Sequence, residues 1–261
     1  MFLNIEKEKR MKIKQSQGTA LITGGAKRLG AIMATQLAKM GYDIVIHYNL
    51  SSKDAKILQK NIKEIGVECS LIQANLLDAA QVYELVKKMR KNFKNWNLLI
   101  NNASIFSKSS FVGNGAEEIR VNMALHLEAP MILSKEFYAN CVSREVRGNI
   151  INMLDKNIVR YDTRYFAYLM SKKALAEFTK VVAMELAPQV RINGIAPGFI
   201  LNSINGVGKE DEGKKIIAKI PLQKKGNEEN ILQALQYLLT NDFVTGQIMF
   251  VDGGASLNHA G

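Results

Sequence analysis

Tyr168 and Lys172 lie four positions apart in YFAYLMSKKALAEF, a stretch whose apolar residues recur at helical spacing. Residues i and i+4 share a helix face. An ammonium beside a phenol favours the tyrosinate, so Lys172 is expected to lower the Tyr168 pKa and make it a proton donor near neutrality. Such pairs are common surface contacts, and this one gains weight from what precedes it. TGGAKRLG (Thr23 to Gly30) leads from an apolar run into a helix, with Gly24, Gly25 and Gly30 around Lys27, Arg28 and Leu29. Small residues let backbone N–H groups approach a phosphate, and the helix N-terminus adds a favourable dipole. The same glycines also suit a simple bend, and their spacing is not G-x-G-x-x-G. In HYNLSS there is no Asp or Glu from Ile44 to Ser52, where NAD-selective enzymes place an acid on the ribose. Lys27, His47 and Ser51 there predict pairing with a 2′-phosphate, hence NADPH/NADP+; alternatively, His47 is a plain strand-end residue.

These residues need a scaffold. Short apolar runs at Thr19–Thr23, Ile44–Tyr48, Cys69–Ala74, Leu98–Ile100, Asn149–Met153, Arg191–Ile195 and Gln247–Val251 read as seven strands. Between them, helical spacing appears at Ile32–Met40, Ala55–Ile65, Val82–Phe93, Ala116–Asn140, Tyr165–Leu186 and Asn230–Leu239. Such alternation predicts one doubly wound α/β (Rossmann) domain: a seven-stranded parallel sheet with helices on both faces and a ligand beyond the strands' carboxyl ends. The expected domain spans 18–261, preceded by an N-terminal tail over 1–17.

Composition narrows the class. The 261 residues carry 35 Lys+Arg against 24 Asp+Glu, a net charge of +11. The densest basic stretch, Lys87 to Lys94, reads as the exposed face of a helix, and the basic charge is mostly Lys spread along surface helices, so nucleic acid is not an expected partner. No apolar run reaches about 18 residues, which excludes a membrane span. Two cysteines provide neither a disulfide scaffold nor ligand spacing, so no metal is expected and a cytoplasmic location is.

Taken in order, TG-x-x-x-x-x-G, NNA (Asn101 to Ala103), Tyr168-x-x-x-Lys172, IAPG (Ile195 to Gly198) and VDGG (Val251 to Gly254) resemble the short-chain dehydrogenase/reductase family over about residues 17–255. The resemblance implies Tyr168 and Lys172 as the catalytic pair and Gly24, Gly30, Asn102 and Ala103 at the cofactor. It also implies Pro197 and Gly198 at the nicotinamide end, Asn75 and Leu76 near the adenine, and a homotetramer.

Departures from the family pattern have a chemical direction. Arg28 replaces a glycine, NNAG has become NNAS with Ser104, and the usual catalytic Ser thirteen positions before Tyr168 is Asp155. The family's catalytic Asn falls on His126, with Asn122 one turn earlier as the other candidate. A Ser hydroxyl donates to a carbonyl oxygen as charge develops, whereas an ionised Asp only accepts. Asp155 therefore suits a substrate presenting N–H donors, such as a nitrogen-rich heterocycle reduced at C=N. Arg28 and Phe106 offer groups that stack on a planar ring.

Arg28, NNAS followed by Phe106, Asp155 and HYNLS together resemble the pteridine reductases, and His126 with the C-terminal YLLTNDFVTG and VDGG resembles the dihydromonapterin reductase branch. That implies a pterin pocket of Arg28, Ser104, Phe106, Asp155, Tyr165 and Tyr168, with His126 in a proton relay behind Lys172. One departure is Leu50, where a pteridine reductase Arg helps hold the 2′-phosphate. The expected function is NADPH-dependent reduction of a dihydropterin, with dihydrofolate as a further substrate. The alternatives are a 3-oxoacyl-[acyl-carrier-protein] reductase or other carbonyl reductase, and a non-catalytic NADPH-binding regulator. A substrate lid is expected over 200–221, and His259 is expected at a disordered end or a subunit contact.

Overall fold

In the computed structural model, which describes residues 16–113, 115–201 and 210–258, all seven apolar runs form strands. They are β1 Thr19–Ile22, β2 Asp43–Tyr48, β3 Cys69–Gln73, β4 Trp96–Asn101, β5 Gly148–Met153, β6 Val190–Pro197 and β7 Ile248–Val251. Every pairing is parallel, in the order β3-β2-β1-β4-β5-β6-β7. Thr19 to Ile22 is buried throughout because both faces of the sheet are covered, which is why the run lacks polar alternation.

The helices are α1 Arg28–Lys39, α2 Ser52–Ile65, α3 Ala79–Asn92, α4 Gly115–Met123, α5 Ala129–Arg144, α6 Phe166–Leu186, α7 Glu210–Ala218 and α8 Glu228–Thr240. Met33 and Leu37 of α1, Ile62 of α2 and Leu235 of α8 pack with Ile22, Ile44 and Ile100 on one face of the sheet. Leu85 and Met89 of α3, Phe137 of α5 and Leu186 of α6 pack with Leu21, Val45 and Ile150 on the other. Each such side chain, removed from water, stabilises the fold by about 2 kcal/mol. The strand order reverses between β1 and β4, so their carboxyl ends open the crevice that receives ligands in such folds. Behind it, Asn101 Nδ2 donates to Asn152 Oδ1 at 2.8 Å and Asn152 Nδ2 to Thr179 Oγ1 at 2.9 Å, pinning β4, β5 and α6 together.

One helix expected from spacing, Ala116–Asn140, is broken. A π-helical segment, Ala124–Glu128, separates α4 from α5, and Pro130 sits at the start of α5. Proline has no N–H for the carbonyl of residue 126, so an α-helical ladder cannot run through this point. The π segment carries His126 into the crevice region. Of the expected lid, residues 202–209 lie outside the described residues and α7 forms most of the rest. Residues 1–15 of the expected tail and His259 also lie outside them.

Candidate active site

The turn between β1 and α1 is built for close backbone approach. A Cβ on Gly24, whose φ is +58°, would meet Ala103 Cα at 2.9 Å, and one on Gly30 would meet the Gly24 carbonyl at 2.4 Å. Asn102 Nδ2 donates to the Thr23 and Gly24 carbonyls, while the Asn102 and Ala103 amides donate to Thr23 Oγ1. The NNA motif thus clamps the glycine turn from the β4 side. Lys27, the N-cap residue of α1, makes no side-chain capping bond, and the first turn contains no acid, so its leading N–H groups and dipole fit a phosphate. Arg28 opens this helix at φ 51°, a left-handed conformation unusual for a residue with a side chain.

The ribose side corrects one expectation. His47 is buried, its Nδ1 accepts the Gly24 N–H at 3.1 Å, and its Nε2 bonds the Ala74 carbonyl at 3.0 Å. Both ring nitrogens are occupied, and burial pushes the imidazole down to about 4, so it is neutral and cannot pair with a 2′-phosphate as a cation. It acts as a strut joining the glycine turn to the ends of β2 and β3. Lys27 lies at this rim but is ion-paired with Asp54 at 3.0 Å. Asp54 stands two positions beyond the acid-free window Ile44–Ser52, which is why the sequence window missed it. Both partners are about half exposed, and such a pair is weak enough for a phosphate to compete with it. Ser51 is the N-cap residue of α2, yet its hydroxyl makes no capping bond. Leu50 points into solvent. Asn75 Oδ1 accepts the Leu77 amide in a turn after β3, and Leu76 is buried beside it.

Asp155, Tyr168 and Lys172 come together at the end of β5. The Tyr168 hydroxyl donates to Asp155 Oδ2 at 3.0 Å, while Asp155 Oδ1 accepts the Asn157 amide at 2.7 Å. Lys172 is buried, donates to the Met153 carbonyl at 2.7 Å, and lies 5.9 Å from the Tyr168 ring centre. The expected lowering of the Tyr168 pKa is not found. Burial first, then the Asp155 charge and the hydrogen bond to it, push the phenol well above its ordinary value. The carboxylate, which the usual Ser would not supply, adds to the effect of burial. Tyr168 is therefore a fully protonated phenol. Burial also lowers Lys172 to about 8, against an upward pull from Asp155.

His126 is present, but in a different part from the expected relay. Its Nε2 accepts the Ile105 N–H at 3.2 Å and lies 3.0 Å from Ser104 Oγ. The opposite nitrogen, Nδ1, must then carry the hydrogen and donates to Ser171 Oγ at 2.8 Å, while Ser171 donates to the Tyr168 carbonyl at 2.7 Å. Burial and the nearby Lys172 charge push the ring down to about 2. Held at both nitrogens, the ring ties the Ser104–Ile105 loop to α6. Asn122 is buried one turn earlier, its amide donating to the Glu118 carbonyl at 2.8 Å within α4.

A flat aromatic wall completes the site. Phe106 stacks on Tyr165 with ring centres 4.5 Å apart and 14° between planes, and meets the Tyr168 ring edge-on at 4.8 Å. Tyr165 is the N-cap residue of α6 rather than its first helical residue. At the end of β6, beside Pro197, a Cβ on Gly198 would meet Asp252 Cα at 2.6 Å, so the IAPG and VDGG motifs pack directly together. The structure thus gathers the Thr23–Gly30 turn, Asn102 to Phe106, Asp155, Tyr165, Tyr168, Lys172 and Pro197–Gly198 around one crevice.

Among known proteins, the family model described as Enoyl-(Acyl carrier protein) reductase matches residues 24–256. A 3-oxoacyl-[acyl-carrier-protein] reductase from Staphylococcus epidermidis is 28% identical over 90% of this chain and 98% of its own length. Dihydromonapterin reductase from Enterobacter sp. is 27% identical over 93% of this chain and 98% of its own. The crystal structure of FolM Alternative dihydrofolate reductase 1 from Brucella canis complexed with NADP superposes with a TM-score of 0.86 at 29% identity, covering 94% of this chain and 96% of that one. Fold, ordered motifs and matched length agree: the chain is an oxidoreductase that belongs to the short-chain dehydrogenase/reductase family, within its pteridine-reductase-like branch.

Proposed function

We propose that the chain catalyses NADPH-dependent reduction of a dihydropterin to its tetrahydro form, with dihydrofolate as a further substrate. The observation that carries this reading is the Asp155 carboxylate in hydrogen-bond contact with the Tyr168 hydroxyl. A carboxylate repels the oxyanion that forms in ketone reduction but accepts the N–H groups of a pterin. The stacked Phe106–Tyr165 wall suits a planar ring, and the resemblance to dihydromonapterin reductase and to FolM supports the same substrate class.

The residues of the glycine turn fit NADPH. The uncapped α1 N-terminus with Arg28, Leu29 and Gly30 would meet its pyrophosphate, and Lys27 and Ser51 the 2′-phosphate. Asn75 and Leu76 would lie at the adenine, and Asn102 to Ser104 with Pro197 and Gly198 would border the nicotinamide half. When bound, NADPH supplies hydride to a ring carbon of the substrate C=N bond. Tyr168 gives a proton to the nitrogen. Pterin N–H groups donating to Asp155 offset its charge, so the phenol becomes more acidic when substrate is in place. Lys172 orients the ribose and, as a cation, offsets the developing phenolate. Arg28 stacks on or bonds the free edge of the ring.

Exposed apolar side chains along α5 and α6, Met131, Met170, Val181 and Met184, supply a face for assembly into the tetramer. Both cysteines are buried free thiols, in keeping with the reducing cytoplasm.

The test is NADPH oxidation measured in parallel with dihydromonapterin, dihydrobiopterin, dihydrofolate and an acetoacetyl thioester. Turnover of the pterins above the thioester is the expected result. Turnover of the thioester alone would favour a 3-oxoacyl-[acyl-carrier-protein] reductase, the activity named for the Staphylococcus epidermidis relative. NADPH binding without turnover of any compound would favour a regulator.

A further inference from the structure

Beyond the aromatic wall lies a cavity of about 730 Å³, bordered by Phe106 and Tyr165 on the side of Tyr168. Its other walls carry four cationic side chains, Lys156, Arg160, Arg164 and Lys219, against a single carboxylate, Asp162. Asp162 is already committed to Arg164, at 2.7 Å. Among the described residues, no carboxylate lies within ion-pair distance of Lys156, Arg160 or Lys219. Lys156 donates to the neutral Asn157 Oδ1 at 2.8 Å. Arg160 donates to the Ala255 and Asn258 carbonyls, which holds its guanidinium in the cavity wall, and its buried Nε has no partner. Half-buried cations are unfavourable, and here burial first and then the Arg160 charge push Lys156 down, against a smaller upward pull from Asp155 and Asp252 outside the cavity wall. Tyr161, 96% exposed in the same wall, has the Lys173 ammonium 4.7 Å from its ring centre, although Lys173 itself does not line the cavity. A neutral pterin side chain uses none of this charge.

We propose that this cavity is a subsite for an anionic tail on the substrate, carboxylate or phosphate, attached to the ring that is reduced beside Tyr168. The inference rests on the pterin reading and adds to it: substrates bearing the tail are preferred over those without it. The concave shape suits a tethered small-molecule anion, whereas a carrier protein would need an outward-facing patch.

Two measurements test this, each with wild type and with the Lys156→Gln/Lys219→Gln double variant. The first is calorimetric binding of p-aminobenzoyl-triglutamate, a tail without a pterin ring, to the NADPH-loaded protein. Binding that weakens with added salt and falls at least about fivefold in the variant supports the subsite, since each exposed ion pair contributes up to about fivefold. Absent binding, or binding the substitutions leave unchanged, overturns it. The second is kcat/KM for dihydrofolate triglutamate and for a dihydropterin monophosphate, each divided by that for dihydromonapterin. A ratio of about ten that collapses in the variant supports the proposal, and the larger of the two ratios identifies carboxylate or phosphate as the source. Ratios near one in wild type overturn it while leaving the pterin reading intact. Charge-dependent binding of the glutamate probe with every pterin inert keeps the anion subsite and refutes the pterin reading. A carrier-protein thioester preferred over the free thioester, with that preference lost in the double variant, would transfer the cavity to a macromolecular partner and overturn the proposal.

Discussion

The Tyr168 hydroxyl and Asp155 Oδ2 share a hydrogen bond of 3.0 Å, and Asp155 also raises the pKa of buried Lys172. One carboxylate therefore acts on both members of the proposed catalytic pair in the same direction. Asp155→Asn removes that charge, and both groups must titrate at lower pH. With Lys172 near 8 in the native protein, the alkaline fall of kcat/KM is expected to begin around that pH and to move to lower pH in the variant. An alkaline limb that does not move would show that Asp155 does not govern these groups.

Tyr168→Phe removes the proposed proton donor while leaving the glycine turn, Asn102 and the ring packing in place. A loss of about 10³-fold in kcat is expected, within the range for general acids. The NADPH dissociation constant, followed by fluorescence, should stay within about twofold, since one neutral hydrogen bond contributes little net. Near-native turnover would remove Tyr168 from the chemistry.

Lys172, in its proposed role, is a charge buried at a cost to stability. Its pKa is lowered from 10.5 to about 8 by burial, so folding disfavours its charged form across the neutral range. At pH 7 the shift corresponds to roughly 3 kcal/mol, partly offset because Lys172→Met also loses the bond to the Met153 carbonyl. The variant is expected to unfold at higher urea concentration than wild type while losing activity. A lower urea midpoint would mean that the bond to Met153 outweighs the burial of charge.

Acid stability should depend on two buried histidines. Folding lowers His47 to about 4 and His126 to about 2, below the ordinary value near 6.5. Their stabilising effect is complete above pH 6.5 and is lost on acidification, for His47 through the window from 6.5 to 4 and for His126 on towards 2. Around pH 5 the unfolded chain holds about two more protons at these sites, a slope of about 2.7 kcal/mol per pH unit. Urea midpoints measured from pH 7.5 to 5 should fall steeply, and His126→Asn should halve the slope. Midpoints constant over that interval would contradict the assignment of neutral, fully bonded rings.

The sheet was legible because doubly covered strands carry continuous apolar runs: Ala20–Ile22 and Leu98–Ile100 could be read directly. Helix α1 begins four residues before its apolar stripe because its first turn is the Arg28–Gly30 motif itself, which spacing rules read as loop. The π segment was also signalled, by Pro130, but amphipathic spacing on either side masked the break. Within the site, residue type and order sufficed to assemble Asp155, Tyr168 and Lys172. The rise of the Tyr168 pKa depends on how deeply the phenol is buried and then on its 3.0 Å contact with Asp155, and no spacing in the chain encodes either. The part played by His47 depended likewise on tertiary contacts, with Gly24 and Ala74, 23 and 27 positions away.

The chain of bonds from Ile105 through His126 and Ser171 to the Tyr168 carbonyl links the loop that presents Phe106 to the helix that presents the phenol. The groups proposed to choose the substrate and to deliver the proton are thus bonded into one unit. Grafting the Ser104–Phe106 loop onto a relative with Asn in place of His126 would transplant the aromatic surface without its anchor. Redesign of this scaffold for another heterocycle has to carry loop, π segment and helix across together.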